Sequence, residues 1–255
     1  MPENARPEPR TAIVTGSSRG IGAAIARELA ARGHRIVVNH RNSPTEADAL
    51  AKEIAAAGGT AVVHAADVCD PEQAGGLVAR AVEEFGGVDA LVCNANVGLG
   101  QGSVVDMDWN VFAGKVNDEL AAAFHVTQAA FAEMAGRGRG RIVYLSSDAY
   151  RGPAAPAMAA HSVAKSALNA YARFVAREGA PKGIGVNVLS PGLVRTDAVA
   201  AIPQEMFDQM VGRIPVGRAG EPEDVARAVG YLLSDDADYL VGQLLSLNGG
   251  SDLGR

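Results

Sequence analysis

Two residues able to move protons stand four apart in AAHSVAKSALNAYARF, residues 159–174: His161 and Lys165. The stretch reads as the start of a long buried helix, and a spacing of four puts both side chains on one helix face. An imidazolium is a competent general acid, with an unperturbed pKa of about 6.5. A neighbouring ammonium lowers that value by like-charge repulsion, and burial lowers it further. The remaining histidines offer less. His34 reads as a helix end, His64 as strand and His125 as helix, and no pair has metal-ligand spacing with a nearby carboxylate.

A second constellation is TGSSRGIGAAIARELA, in which Gly16, Gly20 and Gly22 lie between an apolar run and an amphipathic segment. A glycine turn at a helix start lets the backbone approach a pyrophosphate, whose charge the helix N-terminus favours. The strand-before, helix-after context predicts a dinucleotide site. The next apolar run ends in VVNHRNS. Asn39, His40 and Arg41 stand there, where a carboxylate for a ribose 2′-hydroxyl would be expected, and Arg19 sits in the glycine turn. Two guanidiniums and no carboxylate favour a 2′-phosphate, hence NADP(H) over NAD(H).

These groups need elements to hold them. Short Val-, Ile- and Leu-rich runs at 11–15, 35–39, 60–65, 88–93, 141–146, 185–190 and 243–247 read as buried strands. Helical patterns fill 20–32, 44–57, 71–85, 108–136, 160–180 and 222–234, with Pro71 and Pro222 suited to first turns. Such alternation predicts an α/β fold: a single-domain, doubly wound parallel sheet of about seven strands with helices on both faces. The domain would span 10–255, after a flexible polar tail at 1–9 without a signal peptide's apolar core. Residues 196–220 break the alternation and are expected to form a lid.

Net charge is -6 with no basic stripe, so nucleic acid and anionic membranes are unexpected partners. No apolar run is long enough to span a bilayer. Cys69 and Cys93 are the only cysteines and form no C-x-x-C pair, so buried thiols in a cytoplasmic protein are expected. The basic run 133–141 reads as a solvated loop.

The chain resembles the short-chain dehydrogenase/reductases, closest in pattern to ketoacyl and polyketide ketoreductases, from residue 10 to residue 251. TGSSRGIG matches the family's cofactor turn, implying Ser18 and Ile21 beside Arg19 and the glycines. ADV implies adenine contacts from Asp67 and Val68, and CNAN lies where the family has N-N-A-G, implying Asn94 and Ala95. SPGLVRT matches the segment that holds the nicotinamide carboxamide, implying Pro191, Gly192, Val194 and Thr196. LNGG matches the terminal glycine pair. Two departures stand out. Asn96 replaces a glycine, and His161 occupies the position of the family's catalytic tyrosine.

The resemblance further implies that Asn117, in VND, anchors a proton-relaying water and that Ser147 orients the substrate carbonyl. Ser147 is favoured over Ser146 by the family spacing to His161. Lys165 would hold the cofactor ribose. A working NADPH-dependent reductase of a ketone or β-keto group is then expected, with His161 as proton donor and a lowered pH optimum. A non-redox acid/base enzyme (dehydratase, isomerase or cyclase) and a cofactor-binding scaffold are the alternatives. The wall facing a medium-sized, partly apolar carbonyl substrate would come from Val97, Asp148, Tyr150, Met158, Met206, Phe207 and Met210. A homotetramer or dimer, joined through 108–136, 160–180 and the C-terminal segment, is the assembly the family suggests.

Overall fold

The structure is a computed structural model, and it describes residues 9–151, 157–200 and 202–252. The expected tail therefore lies almost wholly outside the described residues. Seven strands form one parallel sheet in the order β3-β2-β1-β4-β5-β6-β7. They are β1 (Thr11–Val14), β2 (Arg35–His40), β3 (Thr60–Ala65), β4 (Ala90–Cys93), β5 (Gly140–Leu145), β6 (Ile184–Pro191) and β7 (Leu244–Leu247). The helices are α1 (Gly20–Ala31), α2 (Pro44–Ala56), α3 (Pro71–Phe85), α4 (Trp109–Arg137), α5 (Ala159–Gly179), α6 (Gln204–Val211) and α7 (Pro222–Leu232).

Strands β1, β4 and β6 are buried along their whole length, which is why they read as unbroken apolar runs. Two cores result. One side of the sheet packs against α3, α4 and α5 through residues such as Leu77, Val126, Met134 and Leu168. The other packs against α1, α2 and α7 through Ile25, Leu29, Leu50 and Val229. Local signals fix the helix ends. The Asp70 carboxylate accepts the Gln73 N–H at the start of α3, with Pro71 in its first turn. Glu221 and Asp224 form a capping box around Pro222.

Strand order reverses between β1 and β4, so the chain diverges to either side of the carboxyl ends of these strands. In open parallel sheets that crevice is where ligands bind. Segment 196–220 starts at this end, where Thr196 and Asp197 line the cleft. A bridge between Val194, just before it, and Gly220, its last residue, closes its base, with Arg195 N–H donating to Gly220 O at 2.8 Å. The segment contains α6, which the sequence reading left without a helix. Eight residues between Pro203 and Gly212, with Phe207 as their buried member, are too short to show a period. The basic run is not simply solvated. Helix α4 extends to Arg137, and Arg137 and Arg139 ion-pair with the buried Asp89.

Candidate active site

The glycine turn after β1 is held open by its neighbours. Gly16 and Gly20 have φ of +60° and +55°, in the left-handed region that favours glycine. A Cβ on Gly22 would lie 2.5 Å from both Gly16 O and Asn94 Nδ2, so helix α1 can approach the turn only with glycine there. Arg19, the cap residue of α1, makes no side-chain cap bond, and the first turn holds no acid. The leading N–H groups of a helix lack partners within it, so this end suits an anion. Beside it lies a cleft of about 540 Å³.

The cleft is lined by Gly16, Ser18, Arg19, Gly20, Ile21 and Gly22 from the turn, and by Asn39, His40 and Arg41 from β2. Asp67, Val68, Asn94, Ala95, Val97 and Thr196 complete the expected set. Asn42, Ser43, Cys69, Asn96 and Asp197 line it too, and sequence reasoning missed them. Lys165, Pro191, Gly192 and Val194, also expected to bind the cofactor, are not on its wall. Pro191 is buried opposite Leu247, Gly192 N–H donates to Leu247 O, and Val194 is buried at its bridge to Gly220.

Asn39 reaches the cleft but spends its side chain elsewhere. Its Oδ1 accepts the Gly16 N–H at 3.0 Å, and its Nδ2 donates to Ala66 O at 3.1 Å and His64 O at 3.3 Å. It braces the glycine turn against β2 and β3 as well as lining the cleft. Asn94 likewise donates to Thr15 O and Gly16 O. Arg41 extends half-exposed, 3.5 Å from the Asp67 carboxylate. Glycine turn, uncapped helix start and flanking arginines together fit a dinucleotide phosphate.

The proton-moving groups lie where β5 and α5 meet. His161 and Lys165 are each 6% exposed. Among the described residues, His161 Nδ1 and Ser146 Oγ are buried without a hydrogen-bond partner. Ser147 is half-buried, and its Oγ accepts the Ala149 N–H at 3.3 Å, which leaves its own proton to donate. Lys165 Nζ donates to Leu145 O at 2.8 Å and to the Glu119 carboxylate at 2.6 Å. Glu119 also accepts from Lys115 Nζ at 2.5 Å.

Asn117 does not join them. Its position on α4 is exposed, whereas Lys115 and Glu119 on either side are buried. The buried stripe of α4 runs through 115, 119, 122, 126, 130 and 134, and residue 117 falls off it. That stripe is the signal that would have found Glu119.

Electrostatics follow from this packing. Burial, then the Lys165 and Lys115 ammoniums, lower the His161 pKa to about 4 against a weaker pull from Glu119. His161 is therefore neutral at neutral pH. Burial alone would raise the Glu119 carboxyl, but Lys165 and Lys115 outweigh it and hold it below its ordinary value. Burial lowers the Lys115 ammonium.

Residues 16–252 match the family model described as enoyl-(acyl carrier protein) reductase. The chain is a short-chain dehydrogenase/reductase. It is 40% identical, over 95% of its length and 98% of the relative's, to an uncharacterized oxidoreductase of Methylorubrum extorquens. It is 33% identical, over 94% and 97%, to the 3-oxoacyl-[acyl-carrier-protein] reductase of Staphylococcus aureus. A crystal structure of a putative NAD(P)-dependent gluconate 5-dehydrogenase from Beutenbergia cavernae, with bound NADP, is similar at a TM-score of 0.88. Their identity is 33%, with 95% of this chain and 96% of that one covered. The protein is thus an NAD(P)-dependent oxidoreductase of the short-chain type.

In this short-chain dehydrogenase/reductase the expected substrate wall is divided. Phe207 is buried under the Arg195 guanidinium, 4.7 Å from its ring centroid, and Met158 and Met210 are half-buried. Met206 is 55% exposed and turns away from the core. Tyr150 is half-buried with Arg151 stacked on its ring. Asp148 is bound by Asn248 Nδ2, which pins the turn after β5 to the segment after β7. It is a structural tie. Among the described residues, no helix is long and apolar enough to cross a membrane.

Proposed function

We propose that this enzyme interconverts a ketone or β-keto group and its alcohol on a medium-sized, partly apolar substrate, using NADP(H) and His161 as the proton-transfer group. The observation that carries the reading is the position of His161. It is buried, neutral and, among the described residues, unpartnered at Nδ1, one helical turn from Lys165, whose Nζ bonds Leu145 O just before the serine pair. It stands where the family has its tyrosine.

When bound, the cofactor supplies a nicotinamide ring that exchanges hydride with the substrate carbon. Ser147 would donate a hydrogen bond to the substrate oxygen and keep its proton. In alcohol oxidation the neutral His161 accepts the hydroxyl proton, and in ketone reduction the imidazolium returns it. With a pKa of about 4, roughly one His161 in a thousand is protonated at pH 7, so reduction gains from acid while oxidation does not. Lys165 has one N–H beyond those given to Leu145 and Glu119, available to a ribose hydroxyl. Arg19 and Arg41 would hold the 2′-phosphate, with no carboxylate at 39–41 to favour a free 2′-hydroxyl.

A non-redox reaction at the same site is favoured by one observation: a neutral buried imidazole is already poised as a base at pH 7. Exposed Trp109 and Phe124 on α4, with Val163 and Phe174 on α5, support assembly into a dimer or tetramer through these helices. Two free thiols, Cys69 and Cys93, fit a cytoplasmic setting. The test is NADPH and NADH binding, with turnover of a panel of ketones and β-ketoacyl thioesters and of the matching alcohols. NADPH bound more tightly than NADH, with the preference lost in Arg41→Ala, and consumption on some ketone support the reading. NADPH bound but never turned over in either direction would shift the assignment to the non-redox reaction.

A further inference from the structure

Three buried charges meet beside His161: Lys115, Glu119 and Lys165, whose side chains are 2%, 3% and 7% exposed. Each oxygen of Glu119 serves one ammonium, Oε2 accepting from Lys115 at 2.5 Å and Oε1 from Lys165 at 2.6 Å. Both lysines continue the chain of contacts. Lys165 donates to Leu145 O, at the last residue of β5 before the serine pair. Lys115 donates to Val97 O at 2.7 Å and reaches Asn96 Oδ1 at 3.5 Å. Asn96 and Val97 line the cofactor cleft. The loop beyond them lies flat on the Lys115 stem: a Cβ on Gly100 would come 2.8 Å from Lys115 Cβ.

We propose that Glu119 is a positioning residue, whose carboxylate fixes the Lys165 ammonium beside His161 and, through Lys115, ties it to the 94–97 wall of the cofactor cleft. This rests on the reading of Lys165 and the cleft given above. A long flexible ammonium held at one N–H only would sample several rotamers. Held by Glu119 and by Leu145 O, Lys165 has one N–H and one direction left. The carboxylate is suited to this because both of its oxygens only accept, and two ammoniums only donate. An amide would turn its own donors toward one of the two lysines. An aspartate, one methylene shorter, would not span both.

The competing explanation is that Glu119 merely neutralises a buried Lys115. Charge-conserving substitution separates the two. Glu119→Gln leaves two buried ammoniums without a carboxylate, and is expected to lower Tm by about 10 °C. Lys115→Met with Glu119→Gln leaves Lys165 alone, the same net charge as the wild-type cluster, and should recover most of that loss. The readouts are Tm by calorimetry, Kd for NADPH by titration calorimetry, and kcat where a substrate is in hand. The expected result is a double variant with near-wild-type Tm, NADPH Kd raised about tenfold, and kcat lowered about tenfold at saturating cofactor. A double variant that recovers Tm, affinity and kcat together would show charge balance alone and overturn the proposal. Affinity is read without turnover, so a failure of the redox reading leaves the test intact. Wild-type protein that binds no NADPH would overturn both.

Discussion

The glycine turn and the β5–α5 junction are two polar regions at the same end of one sheet, and they treat hydrogen bonds in opposite ways. Around the turn, the polar side chains are spent on structure. Asn39 serves Gly16, His64 and Ala66, Asn94 serves Thr15 and Gly16, and Ser17 Oγ donates to Val14 O at 2.7 Å. Around the junction, His161 Nδ1 and Ser146 Oγ are buried with no partner among the described residues. An unsatisfied buried polar atom costs on the order of 1–3 kcal/mol, and the fold retains two within one site. The braced region presents backbone to a ligand. The unbraced region leaves side-chain atoms without a partner among the described residues, as the proposed reaction requires.

The sharpest way to break this contrast is to remove His161. His161→Phe is expected to lower turnover by about 10²-fold or more while NADPH affinity stays within about threefold. It should also leave Tm unchanged or higher, because no hydrogen bond of the fold is lost. Steady-state kinetics, titration calorimetry and thermal unfolding check the three parts. A large fall in Tm with turnover intact would reverse the assignment of the two regions.

The acid side of the stability curve is the next effect. The folded His161 pKa lies at about 4, below the value of 6.5 for a free histidine. Between those values the unfolded chain takes up a proton that the folded chain refuses, so stability falls as pH falls from 6.5 to 4 and is fully kept above 6.5. The component reaches about 3 kcal/mol. Urea unfolding at pH 7 and pH 4.5 should show it in the wild type and not in His161→Phe.

On the braced side, Asn39→Ala strands Gly16 N–H and the His64 and Ala66 carbonyls. It is expected to cost about 1–3 kcal/mol in urea unfolding and to weaken NADPH binding only through the loosened turn. The smallest effect is expected at Asn117. Its exposed position on α4 predicts that Asn117→Ala changes kcat/KM and Kd by less than about twofold. A large loss of turnover in that variant would return it to the site.

The same contrast explains what could be read from the sequence. The sheet and most helices were legible because unbroken Val/Ile/Leu runs and proline starts report on local packing. The glycine turn was legible because positive φ and close approach demand glycine. Asn39 was placed on the cleft but its bracing bonds were not foreseen, since sequence does not show which backbone groups a side chain will meet. Glu119 was missed although its period on α4 marked it as buried; a charged residue on a core stripe announces partners, and of its two, Lys115 lies one turn away on α4 while Lys165 lies on another helix. Helix α6 and the short arm of Phe207 were beyond reach of a period of eight residues.

The most direct test of His161 as the proton-transfer group is the pH dependence of single-turnover ketone reduction and alcohol oxidation, for wild type and His161→Tyr. For the wild type, reduction should quicken by about tenfold per unit as pH falls from 8 to 5, while oxidation stays nearly flat across that range. His161→Tyr should lose the steep reductive slope. A wild-type reduction rate independent of pH, or one matched by His161→Phe, would contradict the assignment.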